Sequence, residues 1–221
     1  MSLLNPAGTH DRAWVLALLS FLAAVTAWSW ISATDRGTWW LESFPIWIAL
    51  PILAATYVRF PLTRLAYLLI TVHACILLVG AHYTYAHVPL FDWVRDHWSL
   101  QRNDYDKVGH LAQGFVPAII AREVLTRLRV VRGSGWRFFL VICICMAVSA
   151  CYELLEWAVA LIEGNGADAF LGTQGDPWDT QSDMFCALIG AAAAQLLLPW
   201  VHDREMARIN ALSDPSTVAA S

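Results

Sequence analysis

The stretch FFLVICICMAVSACYELLEWAVALI, residues 138–162, decides the class of this protein. As a helix it would be about 37 Å long at 1.5 Å per residue, enough to cross the roughly 30 Å hydrocarbon core of a bilayer. Two carboxylates, Glu153 and Glu156, are the charged groups of this apolar run. The stretch therefore predicts a transmembrane helix that carries acidic side chains inside the membrane.

The composition of the whole chain agrees with this interpretation. Of its 221 residues, 58% are hydrophobic and 14% are charged, whereas soluble domains have about 45–50% and 25%. The mean hydropathy is +0.51. We therefore predict an all-α, polytopic membrane protein whose first partner is the lipid bilayer, with no nucleic-acid partner expected.

Six apolar segments are candidate membrane spans, which predicts a single six-helix membrane domain over residues 1–201. A cytoplasmic tail, residues 202–221, is expected to be disordered. The second span is short and contains Pro45 and Pro51, and the fourth contains several polar residues. The six spans are predicted at 13–32, 44–58, 65–86, 108–125, 138–162 and 184–201.

The basic residues predict the orientation of this six-helix bundle. In a six-span protein, ten of the 14 lysines and arginines fall on the side that holds both termini. The other side holds Arg36, Arg95, Arg102 and Lys107. Because short cytoplasmic loops are enriched in lysine and arginine, we predict that both termini are cytoplasmic. This orientation makes the other face periplasmic.

A first group of polar residues begins the fourth predicted span. Asp106 and His110 are four residues apart, so they share a helix face, and Gln113 lies one turn deeper on that face. An aspartate and a histidine at this spacing suit a metal site, or a carboxylate that orients an imidazole base. The alternative is an ordinary helix start, in which an aspartate caps the first turn.

The second group is Glu153 and Glu156 in the fifth predicted span. They are three residues apart, so they also share a face, and an unpaired carboxylate within a bilayer costs at least about 2.5 kcal/mol. Two such groups must share a proton, meet a cation or bind a metal. We predict that they are catalytic, and the alternative is a structural pair with Arg102, Lys107 or His110.

The third group precedes the sixth predicted span, in residues 171–183. Gln174, Asp176 and Asp179 are predicted ligand-binding residues, as are Asp106 and Gln113 of the first group, and Asp183 is a predicted metal ligand. The alternative is a capped helix start, because Thr180 and Asp183 have the spacing of a capping box.

The topology places all three groups at the outer face, where short hairpins would make their helices neighbours. One imidazole among several carboxylates suits a divalent transition metal such as zinc or manganese. His110 and Asp183 are the predicted metal ligands. The residues expected to line one outward-facing cavity are His110, Glu153, Glu156, Asp179 and Asp183.

Three motifs resemble the YjdF-like family of bacterial inner-membrane proteins. They are RNDYDKVGHLAQGF at 102–115, YELLEW at 152–157 and LGTQGDPWDTQSDMFCALIGA at 171–191. The resemblance extends over roughly residues 45–198. It implies a multi-pass protein of the bacterial inner membrane and implies no particular biochemical activity.

A weaker resemblance links the chain to VanZ-like membrane proteins. The shared residues are Asp106, Lys107 and His110 at a helix start, and the acidic residues Glu153, Glu156 and Asp183. The Glu-x-x-Gln that usually ends the late helix is absent. This resemblance implies a role in the cell envelope.

Three functions fit these patterns. The first is a metal-dependent hydrolase acting on a lipid or envelope substrate. The second is a small proton-coupled transporter in which Glu153 titrates, although residues 140–150 offer few polar groups for a path to the cytoplasm. The third is a non-catalytic partner or assembly subunit, whose polar residues would fix helix packing.

Overall fold

A computed structural model describes residues 7–163 and 174–213, and every regular element in this part of the chain is a helix. The eight helices are α1 (Ala7–Ile31), α2 (Arg36–Thr56), α3 (Arg64–Tyr83), α4 (Pro89–Trp98), α5 (Tyr105–Arg127), α6 (Ser134–Glu163), α7 (Asp179–Leu197) and α8 (Pro199–Ser213).

The first three helices alternate in direction. The Ser29 hydroxyl, near the end of α1, donates to the Leu78 carbonyl near the end of α3 at 2.6 Å. The backbone N–H of Thr34, just before α2, donates to the carbonyl of His82 at 3.0 Å. The ends of α1 and α3 and the start of α2 therefore lie together, so α1 and α3 are parallel and α2 is antiparallel to both.

The same alternation continues in the second half of the chain. The backbone N–H of Thr63, just before α3, donates at 3.0 Å to Glu123 near the end of α5. Gln195, near the end of α7, donates at 3.3 Å to the carbonyl of Phe138 near the start of α6. The starts of α5 and α7 meet at Lys107. Thus α5 and α7 are parallel to each other, and α3 and α6 are antiparallel to both.

Hydropathy and length identify four described helices as membrane-crossing candidates: α1, α2, α3 and α6. The helices α7 and α8 are apolar and long enough to count as one further span if they are taken together, but they are bent by 66° relative to each other. Helix α5 is less apolar because much of its surface faces protein rather than lipid, and its 11 buried residues include His110, Arg122 and Glu123. The protein is therefore a helical membrane protein with four to five spans by composition alone.

The structure differs most from the predicted boundaries at two places. Helix α2 begins at Arg36, eight residues before the predicted start of the second span, because Asp35 caps it. The Asp35 carboxylate accepts the backbone N–H of Thr38 at 2.7 Å, which lowers the pKa of Asp35. The predicted disordered tail is helical as far as Ser213, and residues 214–221 lie outside the described part.

Helices α5 and α7 form the most extensive helix pair of the described bundle. A Cβ atom on Gly114 would lie 1.8 Å from the carbonyl oxygen of Ala187, and one on Gly190 would lie 2.1 Å from that of Leu111. Only glycine allows two helix backbones to approach so closely, as at other small-residue interfaces in membranes. This contact fixes the position of α7 relative to the face of α5 that carries His110.

A buried polar network joins α3, α5 and α8 at the opposite end of the bundle. The fully buried carboxylate of Glu123 accepts hydrogen bonds from Thr63 at 2.8 Å, from Arg127 at 2.6 Å and from His202 Nε2 at 3.1 Å. His202 Nδ1 in turn accepts from Arg122 at 3.1 Å. His202 is therefore a buried structural residue, although sequence reasoning assigned no role to it.

We expect His202→Ala to destabilise the protein, because it removes a donor from a buried carboxylate. Breaking a buried pair costs about 3–5 kcal/mol, so the thermal unfolding midpoint in detergent should fall by several degrees. The exposed His87 provides the matched control, His87→Ala. His202→Gln should restore part of the loss, since its amide N–H can reach Glu123. An unchanged midpoint in His202→Ala would contradict this account.

Candidate functional site

The three predicted groups meet at one end of the bundle. They come from the starts of α5 and α7 and from the end of α6, which the close packing of α5 against α7 holds together. We call seven of these residues the polar cluster. Its members are Arg102, Asp106, Lys107, His110, Glu153, Asp179 and Asp183.

Two basic residues organise the carboxylates of the polar cluster. Lys107 Nζ lies 2.7 Å from Asp183 Oδ1 and 3.0 Å from Asp179 Oδ1. Arg102 forms a very short hydrogen bond to Asp179 and lies 3.4 Å from Asp106 Oδ2. Each of Asp106 and Asp183 is therefore held through one oxygen, which leaves its other oxygen free to face His110.

The hydrogen bond of His110 to Gln113 orients its imidazole. His110 Nδ1 lies 2.8 Å from Gln113 Oε1, an acceptor, so Nδ1 carries the proton. Nε2 then faces Asp106 Oδ1 at 3.3 Å and Asp183 Oδ2 at 3.7 Å. A nitrogen lone pair that faces two carboxylate oxygens is repelled unless positive charge or a donated proton lies between them. A proton on Nε2, a proton on one of the two carboxyl groups or a metal ion would meet this need.

The geometry of these three ligand atoms fits a metal ion. Asp106, His110 and Asp183 each offer one atom, and all three atoms lie within 4.8 Å of one another. Two ligands bound to one tetrahedral zinc ion at about 2.0–2.1 Å lie about 3.3–3.4 Å apart, close to the 3.3 and 3.7 Å from His110 Nε2 to Asp106 and Asp183. The hydrogen bond from Nδ1 to Gln113 is the outer-shell contact that metal-binding histidines usually make.

Glu153 adds a further buried carboxyl group to the polar cluster. Its Oε1 atom is buried without a hydrogen-bond partner and lies 3.7 Å from His110 Nδ1, and the residue is only 7% exposed. A buried carboxylate oxygen without a partner is costly in a low-dielectric environment. The four carboxyl groups of the polar cluster thus outnumber its two permanently basic side chains, Arg102 and Lys107.

A cavity of about 300 Å³ opens beside the polar cluster. Among the predicted site residues, those that line it are Asp106, His110, Gln113 and Glu156. Its other walls are mostly apolar side chains of α2 and α3, including Ile46, Leu50 and Leu77. The cavity can therefore accept a molecule with a polar and an apolar part.

Glu42 and Tyr85 also line this cavity, and sequence reasoning did not select Glu42. Glu42 is 5% exposed and has no hydrogen-bond partner among the described residues. The ring of Tyr85 packs against Gly80, where a Cβ atom would lie 2.1 Å from it. Glu42 could have been found as a carboxylate close to an apolar segment. It was missed because the second span was predicted to begin at residue 44, two residues after it.

Three predicted ligand-binding residues lie outside the cavity wall. Gln174 and the backbone of Asn103 form a reciprocal pair of hydrogen bonds at 2.9 and 3.0 Å. Asp176 accepts the backbone N–H of Trp178 at 2.9 Å and lies 3.6 Å from Arg102. Together with Asp179, these residues anchor the segment before α7 onto the start of α5. Their contacts support positioning of the cluster rather than direct contact with a ligand.

The helix-cap alternative receives no support from the geometry. Helix α7 has Trp178 at its N-cap without a side-chain capping bond, and Asp104 before α5 likewise makes none. Asp179 and Asp183 instead contact Lys107. The acidic residues at these helix starts therefore serve the polar cluster.

These features define a class: a polytopic helical membrane protein with a buried carboxylate–histidine cluster beside a cavity. Residues 14–204 match the family described as "Predicted membrane protein (DUF2238)", so the chain belongs to that family. It is 50% identical over 192 residues to the inner membrane protein YjdF of Escherichia coli (strain K12), covering 87% of this chain and 92% of that relative. No solved structure matches.

The family membership confirms the predicted resemblance to YjdF-like proteins. It also confirms that the chain is a multi-pass protein of the bacterial inner membrane. The resemblance to VanZ-like proteins stays a prediction.

Proposed function

We propose that this protein is a metal-dependent hydrolase that acts on a lipid or other envelope substrate at the periplasmic face. The observation that carries the proposal is the convergence of Asp106, His110 and Asp183 on one point, with the buried carboxylate of Glu153 beside them. Zinc or manganese suits this set of one imidazole and two carboxylates. Such an ion would polarise a carbonyl or phosphoryl oxygen as a Lewis acid.

Two glutamates are available for proton transfer next to this site. Glu156 lines the cavity, so it can reach a bound substrate or water and is the proposed general base. Glu153 lies against His110 and is proposed to hold the imidazole in place. Lys107 and Arg102 fix the outer oxygens of Asp183 and Asp106, which keeps both carboxylates oriented when a substrate enters.

Hydrolysis of lipids by the purified protein tests the proposal. The protein, loaded with zinc or manganese, is incubated with a polar lipid extract of a bacterial inner membrane, and the products are followed by mass spectrometry. We expect a metal-dependent product that Glu156→Gln abolishes. Asp96→Asn, which alters an exposed carboxylate remote from the cluster, is the control and should leave the rate unchanged. Absence of any product with either metal would contradict a hydrolase.

The proposal includes a topology of six spans with both termini in the cytoplasm. Support comes from the alternating directions of α1, α2, α3, α5, α6 and α7 and from the distribution of basic residues. Helix α5 has 23 residues, about 35 Å, and α7 has 19 residues, about 29 Å. Both lengths approach or exceed the roughly 30 Å core.

Reporter fusions test this topology. A green fluorescent protein fused after Ser221 should fluoresce, because that terminus is predicted to be cytoplasmic. Alkaline phosphatase fused after Leu100, between α4 and α5, should be active, because that segment is predicted to be periplasmic. The reverse pattern would overturn the orientation, and reporters that place Leu100 and Ser221 on the same side would overturn the three spans predicted between them.

A further inference from the structure

An apolar groove of about 430 Å³ runs along the outside of the bundle between α2 and α6. Its rims are formed by Ile48 and Ile52 of α2 and by Val148 and Leu155 of α6. These two helices make no extensive contact with each other, and both belong to the membrane-crossing set. The groove therefore opens sideways toward lipid rather than toward water.

The groove is continuous with the cavity beside the polar cluster. The two spaces share wall residues, among them Ala49 and Tyr152. From Glu42, at the polar end, to Leu53, at the apolar end, α2 rises about 16 Å. This length is about half of the roughly 30 Å hydrocarbon core, the depth of one leaflet. The apolar part of this path can therefore take part of one acyl chain.

The polar end of the path favours a positively charged group. Glu42, Asp106 and Glu156 line the cavity, whereas no lysine or arginine of the described residues does. Glu42 is buried and has no hydrogen-bond partner of its own among these residues. An ammonium group at the end of a ligand would supply the missing donors and charge, whereas a ligand of net negative charge would lack this compensation.

We propose that the cavity and groove bind an amine-bearing glycerolipid, with its ammonium group against Glu42 and Glu156 and one acyl chain passing between α2 and α6. This inference rests on the proposed hydrolase, because it names the class of substrate for the same site. The lipid enters from the side, from within its own leaflet. The headgroup then lies within the cavity that His110 and Asp106 line.

Native mass spectrometry of the protein released from nanodiscs tests this proposal. The nanodiscs contain phosphatidylethanolamine and phosphatidylglycerol in equal amounts. We expect one retained lipid per chain, with phosphatidylethanolamine several-fold enriched. Ala49→Phe, which fills the junction of groove and cavity, should lose this lipid. Ala55→Phe, on an exposed part of the same helix outside the groove, should keep it. Glu42→Gln should keep a lipid but lose the preference for the amine.

Three results would overturn the inference: no retained lipid, equal retention in Ala49→Phe, or a preference for phosphatidylglycerol. The metal content of the same samples separates this inference from the proposed hydrolase. Bound metal without a retained lipid would reject the lipid path alone. A retained amine lipid without metal would reject the metal-dependent hydrolase and leave the lipid site standing.

Discussion

Gly114→Leu is expected to yield no folded protein. A Cβ atom at this position would lie 1.8 Å from the carbonyl oxygen of Ala187, and a leucine adds three more carbons. The backbone carbonyl cannot rotate away as a flexible side chain could, so α5 and α7 must separate. Overpacking alone typically costs about 1–3 kcal/mol, and here it would also dismantle the polar cluster. Fluorescence-detected gel filtration of a tagged protein should show aggregate in place of the main peak.

Gly135→Leu is the matched control for this experiment. Gly135 lies in the first turn of α6, and a Cβ atom there would meet nothing within 4 Å. Its leucine variant should therefore elute like the unaltered protein. A normal elution profile for Gly114→Leu would show that α5 and α7 do not approach each other as described.

We expect His110→Ala to abolish high-affinity binding of zinc or manganese. Replacement of an outer-shell partner typically lowers metal affinity by about 10–100-fold, and the loss of one of three proposed ligands should exceed that range. Gln113→Leu removes the outer-shell acceptor of His110 Nδ1. Its loss of metal affinity should stay within the range of about 10–100-fold. Isothermal titration of the purified protein with each metal measures both effects.

A structural change could also lower metal affinity, so thermal unfolding must accompany these titrations. His97→Ala removes an exposed histidine on α4 and serves as the matched control. Equal metal affinity in His110→Ala and the unaltered protein would show that the metal, if bound, lies elsewhere.

Local spacing predicted part of this site well, because residues four apart on a helix share a face. Asp106 and His110 meet for that reason, at 3.3 Å. Their contact with Asp183 depended on two helix starts being adjacent, which the alternation of spans indicated. Lys107 was considered as a possible partner for the glutamates and as part of a family resemblance, whereas in the structure it contacts Asp179 and Asp183.

Other features depended on tertiary packing that hydropathy does not encode. Glu42 reaches the cavity because α2 begins before its apolar segment, at the Asp35 cap. His202 is buried because the chain bends by 66° after Leu197 and folds α8 back onto Glu123. The ten-residue helix α4, which carries the exposed Trp93 and Trp98, was too short to register as a span.

The position of a bound metal ion in a crystal of the purified protein tests the central claim most directly. A crystal grown with zinc or manganese, with diffraction data collected at the absorption edge of that metal, locates any bound ion by anomalous scattering. We predict one strong peak per chain, between His110 Nε2, Asp106 and Asp183. The absence of a peak there in crystals that contain the metal, or a peak confined to surface residues, would contradict the account.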